Sequence, residues 1–438
     1  MRPVRVLFLH GINYWNLGDL GIFQAMAASL ARALGRYDAT VLTTFAMAER
    51  PRHVRLAVEP RVLDYPILEP ARGLGQRARM LGRAVLLPLL AVLYRSGPRI
   101  GMRRWFPRSC ALFDVYLEAD LVVSKGGNFL MDTGHRVPTW FLPTHQILLA
   151  VLLRRPVVVY AQSLGPFRGR LGRAIVGAVL RRVDLVILRE RGSLALLPQA
   201  MNMDRVHVTS DEAFLLEPSA ALPAELAGLL GPRTIAATVI AWEFPGLSPE
   251  GVRAARERYY DAMAACLDAL AAGHDADILL LPHVAGWGGR NDAEAIDAIL
   301  ARARERARYR VAPDDVTPEQ EVRLLAGCAL CIGTRMHSVI FALAAGTPVL
   351  AVGYLPKTVG VLGAIGLADW VVPIEAVDRG ALLAKAEALL RDPAARAAAE
   401  AARDRARDLA RANATLAAQL VGVHGDQPAS PARAVTQR

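Results

Sequence analysis

The sequence predicts an α/β protein built as two doubly wound domains with parallel sheets. Short β-branched runs alternate with Ala/Leu/Arg-rich stretches of helical length. At 438 residues the chain exceeds one ordinary core. The alternation also stops once, at "EPSAALPAELAGLLGPR" from Glu217 to Arg233, where three prolines and no clear strand occur, and then restarts.

Before that break, strands are expected at Val4–Leu9, Thr40–Thr43, Leu121–Val123, Val157–Tyr160, Leu185–Leu188 and Val206–Thr209, with helices including Leu20–Leu34 and Leu171–Arg182. After it, strands are expected at Thr234–Ile240, Ile278–Leu281, Leu330–Ile332 and Val349–Val352. Helices are expected at Pro249–Ala272, Asn291–Arg304, Pro318–Ala326 and Ser338–Ala345. The reading is therefore a Rossmann-like domain over 1–220 and a second over 232–380. A helical segment covers 381–424, and 425–438 has the composition of a disordered tail.

Hydrophobic residues make up 53% of the chain, a globular composition, and four cysteines do not make a disulfide framework, so a reducing, cytoplasmic compartment fits. Cys328 and Cys331 form a lone C-x-x-C without the further Cys or His that zinc would need, and no metal or cofactor is expected. The apolar start, Val6–Leu9, is too short for the core of a signal peptide and reads as a strand. The net charge of +11 is concentrated: residues 71–108 hold nine arginines and no acid. Within them lies "AVLLPLLAVLY", Ala84–Tyr94, far short of the roughly 20 residues that span a bilayer. The insert reads either as an interfacial segment on an anionic membrane, at the inner face of the cell membrane, or as a core helix with a basic rim. Aromatics at 6% and the lack of a nucleic-acid-binding signature argue against nucleic acid.

Ligands of open parallel sheets bind beyond the carboxyl ends of the strands, so residues there are the site candidates. After the first strand, Asn16, Gly18 and Asp19 open a helix. Glycine allows close backbone approach, and Asp19 is either a ligand contact or the helix cap. Lys125, Gly126, Gly127 and Asn128 follow the Leu121–Val123 strand, and Gln162 follows Val157–Tyr160. Arg189 ends an apolar strand directly, and Ser210 and Asp211 follow the next one. In the second half His283 is either a satisfied strand-end histidine or a cleft contact. The pair Asp275 and Asp277 sits at the wrong end of its strand for a metal-binding D-x-D. In "CIGTRMHSVIFALAAGTPVLAV", Thr334 is a candidate cap, and Arg335 and His337 fall in the first helical turn. Lys357 stands beyond the following strand. A guanidinium fork, a histidine and a lysine at a helix N-terminus suit a multivalent anion.

The motifs "NLGD" (16–19), "KGGN" (125–128), "QSLGPF" (162–167), "RERGS" (189–193), "SDEAF" (210–214) and "GTRMHSVIFALAAGTPVLAVGYLPK" (333–357) together resemble the polysaccharide pyruvyl transferases. That resemblance implies a GT-B-like architecture with its site in the cleft between two facing Rossmann-like domains. It also implies transfer of the three-carbon unit of phosphoenolpyruvate to sugar hydroxyls as a pyruvate ketal, with release of phosphate. The acceptor would belong to a cell-surface polysaccharide or its lipid-linked precursor. Carried over by position, Arg189, Arg335, His337 and Lys357 bind the donor, with Arg335 and His337 catalytic and His337 the candidate acid. The segments at Asn16–Asp19 and Lys125–Asn128, with Gln162 and His283, face the acceptor. The insert over 71–108 matches no family motif. Two other readings compete: a GT-B glycosyltransferase using a nucleotide-sugar donor, and a non-catalytic, membrane-associated glycan- or anion-binding protein.

Overall fold

A computed structural model describes residues 2–43, 50–51, 53–65, 74–97, 99–132, 138–285 and 292–422. The tail at 425–438 and residues 71–73 and 98 of the basic insert lie outside the described residues.

The first sheet contains β1 (Val4–Leu9), β2 (Tyr37–Thr43), β3 (Arg61–Asp64), β4 (Leu121–Ser124), β5 (Gly127–Leu130), β6 (Val157–Leu164), β7 (Leu185–Leu188) and β8 (Val206–Val208). Its order is β3-β2-β1-β4-β6-β7-β8, with β5 paired to β6, and the pairings are parallel. The second holds β9 (Thr234–Thr238), β10 (Asp277–Leu280), β11 (Tyr309–Val311), β12 (Leu330–Gly333), β13 (Val349–Gly353) and β14 (Val371–Pro373). It too is parallel, in the order β11-β10-β9-β12-β13-β14. β4, β6, β7, β9, β12 and β13 are buried at every residue, because helices cover both faces. Each sheet reverses its winding once, between β1 and β4 and between β9 and β12. These are the topological switch points where a crevice opens beyond the strand ends.

β3, β11 and β14 are edge strands of three or four residues, too short to show a period, and the sequence reading did not foresee them. Residues 217–233 form no strand and one short helix, Ala224–Ala227.

Three devices hold the halves together. Beyond β1, the Leu17 N–H donates to the His283 carbonyl at 3.0 Å and the Ala285 N–H to the Trp15 carbonyl at 2.9 Å, a two-bond antiparallel rung between the halves. Next, the helix Leu17–Leu34 of the first half lies against Met336–Ala344 of the second. A Cβ on Gly18 would stand 2.4 Å from His337 Nδ1, and one on Gly21 2.6 Å from Phe341 Cζ, so the helices meet at this depth only over bare glycine. Finally, the helix Ala395–Gln419 straddles both cores with an alanine stripe. Ala399, Ala402 and Ala406 pack in the second half, Ala414 and Ala417 in the first. Where it crosses, Asn413 Oδ1 accepts from Thr209 Oγ1 at 2.6 Å, and Nδ2 donates to Glu212 at 2.7 Å.

The basic insert forms the helices Leu74–Ser96, Arg99–Trp105 and Pro107–Glu118, the first running through Pro88.

Candidate functional site

At the second switch point, Thr238 ends β9 and organises the turn after β12. Its Oγ1 accepts from the N–H groups of Thr334 (3.1 Å) and Arg335 (3.2 Å) and shares a hydrogen bond with Ser338 Oγ. Thr334 is therefore not the cap that the sequence suggested, since its hydroxyl bonds Tyr259 instead. Arg335 stands one residue before the helix, at the N-cap in an extended conformation, and not in the first helical turn where the sequence placed it.

The Arg335 guanidinium clasps the buried Asp292 through Nε and Nη2. The same carboxylate accepts from the backbone N–H groups of His283 and Val284, both at 3.0 Å, so the turns after β10 and β12 share one anchor. Burial opposes the charge on Arg335, but Asp292 and Tyr354 outweigh it and raise its pKa.

From the first half, Arg189 at the end of β7 is fully buried. Its Nε donates to Ser163 Oγ at 2.8 Å and its Nη1 to Asp211 at 2.5 Å, while its Nη2 has no partner. Asp211 caps the turn Glu212–Leu215 through the Ala213 N–H. Burial pushes its carboxyl up, but Arg189, His337 and that N–H outweigh this and hold it well below the ordinary range.

His337 comes from the second half to meet this pair, its Nε2 3.7 Å from Asp211 Oδ2. That is ion-pair range and too long for a hydrogen bond, and Nε2 is buried without a partner. Burial lowers the His337 pKa, Arg189 and His283 lower it further, and Asp211 opposes them. The imidazole is thus neutral near pH 7 in this structure. Lys357, in the first turn of the helix Pro356–Ala364, has no hydrogen-bond or ion-pair partner among the described residues. Burial, then Arg189 and Arg335, push its ammonium down to about 7. The ring of His283 lies parallel to that of His337, centroids 6.5 Å apart. Its Nδ1 sits 3.1 Å from the buried Glu321, and its Nε2 is a further orphan.

The acceptor-side candidates divide. Asn16 caps the helix Leu17–Leu34 by accepting from the Asp19 N–H. Asp19 is therefore not the cap; it accepts from the Asn13 N–H at 2.8 Å and from Lys125 Nζ at 2.6 Å. Lys125 is fully buried in that ion pair, beside the ring of Phe129. Gln162, also fully buried, donates to the Lys125 carbonyl at 2.7 Å and to Ser124 Oγ at 2.6 Å. Gly126 is buried against Ile22 and the Tyr160 carbonyl, and Gly127 lies in β5 with φ +131°. Lys125, Gly126 and Gly127 shape the loop from inside, because their polar groups and backbone are internally packed, whereas Gln162 keeps a buried Oε1 without a partner. Gly18 likewise faces His337. Asn128 Oδ1 and His283 Nε2 keep unused hydrogen-bonding capacity. Beside His283, a small pocket between the halves is lined by Tyr14, Trp15 and His53 on one side and Ala285 and Asp314 on the other. The sequence reading named Asp211 only as a strand-end polar residue and missed Asp292 and Glu321. The side chains they pair with are 22 to 43 residues away, and no local pattern marks those pairings.

Comparison with known families matches residues 16–356 to the one described as polysaccharide pyruvyl transferase. The chain belongs to that family. Membership makes it a transferase of polysaccharide modification. It is 26% identical over 396 residues to the amylovoran biosynthesis protein AmsJ of Erwinia amylovora, covering 88% of this chain and 92% of that protein. Among solved structures it is similar to the UDP-GlcNAc 2-epimerase of Neisseria meningitidis (TM-score 0.58, 13% identity, 96% of this chain and 99% of that one). The UDP-GlcNAc 2-epimerase of Methanocaldococcus jannaschii is also similar (TM-score 0.55, 11% identity, 89% and 94%). With the two facing parallel sheets, these likenesses show the GT-B-like fold. The motifs "NLGD" and "GTRMH" fall within the matched region, and they touch through Gly18 and His337.

Proposed function

We propose that this pyruvyl transferase takes phosphoenolpyruvate as donor and forms a pyruvate ketal on two hydroxyls of a cell-surface polysaccharide or its lipid-linked precursor, releasing phosphate. The observation that carries the proposal is a set of unused donors meeting between the halves. Arg189 Nη2 and His337 Nε2 are buried without partners on either side of one carboxylate, Asp211, and Lys357, whose charge feels Arg189, Arg335 and Asp211, has no hydrogen-bond or ion-pair partner among the described residues. Buried polar atoms without partners, such as Arg189 Nη2 and His337 Nε2, are costly, about 1–3 kcal/mol each, and a multivalent anion satisfies both and also pairs with the Lys357 ammonium.

Arg189, Arg335 and Lys357 hold the phosphate and carboxylate, Arg189 and Arg335 through planar N–H forks. The donor's negative charge raises the pKa of His337, so its imidazolium forms as the donor binds. His337 then gives its proton to the methylene carbon, leaving electron deficiency at C2. An acceptor hydroxyl forms the first C2–O bond and passes its proton to His283 Nε2, whose ring Glu321 orients. Breaking the C2–O bond to phosphate releases inorganic phosphate. The second hydroxyl closes the ketal and loses its proton. Both hydroxyl protons leave to base or solvent, and the methylene keeps the proton from His337, so the atoms balance without an oxidant or metal.

The test is phosphate release from phosphoenolpyruvate with a saccharide acceptor, alongside an acceptor mass gain equal to pyruvate less water. Acceptor-dependent release that disappears in His337→Ala and Arg335→Ala is expected. Donor turnover left intact in both variants overturns the mechanism.

A further inference from the structure

The helix Leu74–Ser96 is apolar on two faces, and only one of them is used. Ala84, Leu87, Leu90, Ala91 and Tyr94 enter the core of the first half. Val85, Leu86, Leu89, Val92 and Leu93 occupy the opposite positions and are exposed, Leu89 by 59% and Leu93 by 58%. The next helix adds Ile100, 88% exposed, and Trp105, 77% exposed. A run of large apolar side chains at helical spacing on the outside of a monomer marks an interaction surface. No helix among the described residues is long and apolar enough to cross a membrane, so this one does not read as a span.

The charge of the same segment decides the partner. No acidic residue occurs between 71 and 113. Arg104 and Arg108 are exposed without partners among the described residues. Arg99 lies over the Tyr94 ring at 5.4 Å, and Arg103 pairs with Asp114 at 2.9 Å. A two-fold contact with a second copy would set this arginine-rich, acid-free strip against itself, with no carboxylates of its own to answer the charge. Nucleic acid would leave the exposed leucines uncovered. We propose that this surface docks on a bilayer bearing anionic headgroups. Leu89, Leu93, Ile100 and Trp105 enter the headgroup–acyl boundary, and Arg99, Arg104 and Arg108 meet the phosphates. The proposal is independent of the donor and acceptor assigned to the cleft.

The test is sedimentation of the full chain with vesicles of phosphatidylcholine alone or mixed with phosphatidylglycerol, with no substrate present. The wild type is expected to pellet with the mixed vesicles, less so as salt rises. The double variant Leu89→Glu/Leu93→Glu should lose at least about a hundredfold in partitioning, because two leucines forfeit their burial. Arg104→Glu/Arg108→Glu should lose the preference for anionic lipid. Both double variants alter exposed side chains, and thermal unfolding like that of the wild type verifies that they fold. Quenching by bromine-labelled lipid that weakens in Trp105→Phe would place the indole in the membrane. Equal pelleting of Leu89→Glu/Leu93→Glu overturns the proposal. So does a wild type that ignores mixed vesicles, including one that forms a dimer which the same variant dissolves.

Discussion

Gly18→Ala tests the seam that brings His337 to the first half. A Cβ at this position would lie 2.4 Å from His337 Nδ1, 2.5 Å from Cγ and 2.7 Å from Cβ. Ordinary contacts of this kind need about 3.5 Å or more, so the imidazole and the helix backbone must separate by roughly 1 Å. Overpacking of this kind costs about 1–3 kcal/mol. The helix is also pinned by the Leu17 and Ala285 rungs and by Gly21 against Phe341, so the side chain of His337 takes most of the shift. A displacement of about 1 Å in a proton-transferring group costs on the order of a hundredfold in turnover. Gly18→Ala should therefore lower kcat for phosphate release from phosphoenolpyruvate by about that factor, with only a modest fall in thermal stability. Gly169→Ala, where a Cβ meets nothing within 4 Å, is the control and should leave kcat unchanged. Wild-type kinetics in Gly18→Ala would refute the claim that this glycine seats the histidine.

Three further predictions concern ionisable side chains of the site and the seam. With Lys357 pushed down to about 7, the free protein loses that charge as pH rises through 7, whereas a bound anion favours the protonated form. Donor binding should take up a proton above pH 7 and weaken as pH rises, and Lys357→Met should flatten the dependence and weaken binding by about 10–100-fold. Glu212 is fully buried, and burial pushes its carboxyl up to about 7 against the hydrogen bond that Asn413 Nδ2 donates to it. Since its folded pKa lies above the unfolded value, its contribution to stability is complete below about pH 4.5 and is lost as pH rises through 7. Glu212→Gln should therefore match the wild type in urea unfolding at pH 4 and exceed it by about 3 kcal/mol at pH 8; a difference that does not change with pH refutes this. His283→Ala should lower kcat by about 10²–10⁴-fold with little change in the donor KM. Glu321→Gln, which removes the carboxylate that orients the His283 ring, should lower kcat by a smaller factor, and a change confined to the donor KM would remove His283 from the base role.

The strands of the sheet interiors were legible because burial on both faces leaves continuous apolar runs, as in "VVVYA" and "LVIL". Tyr309–Val311 and Val371–Pro373 were not, because at three residues a sheet edge has no period to read. Arg189, Arg335, His337 and Lys357 could be found because each follows a strand, where a parallel sheet opens. Lys125 gave the same signal yet is closed off in an ion pair with Asp19, and Gln162 spends its Nε2 on Ser124 and Lys125 while its Oε1 stays free. Polarity at a strand end marks ligand contact and internal hydrogen bonding alike, and only the tertiary partners Asp19 and Ser124 separate the two. Asp292 and Glu321 escaped notice because a carboxylate that positions a distant side chain leaves no local trace. The helix Leu74–Ser96 was foreseen as either interfacial or core. It is buried on one face and exposed on the other, which no count of apolar residues distinguishes.

The most direct measurement of the central claim is titration calorimetry of the protein with phosphoenolpyruvate and, separately, with a UDP-sugar, near pH 8 in buffers of different ionisation heat. The proposed site binds phosphoenolpyruvate with net proton uptake and loses that binding in Arg335→Ala. Binding of the UDP-sugar, with none of phosphoenolpyruvate, would contradict it.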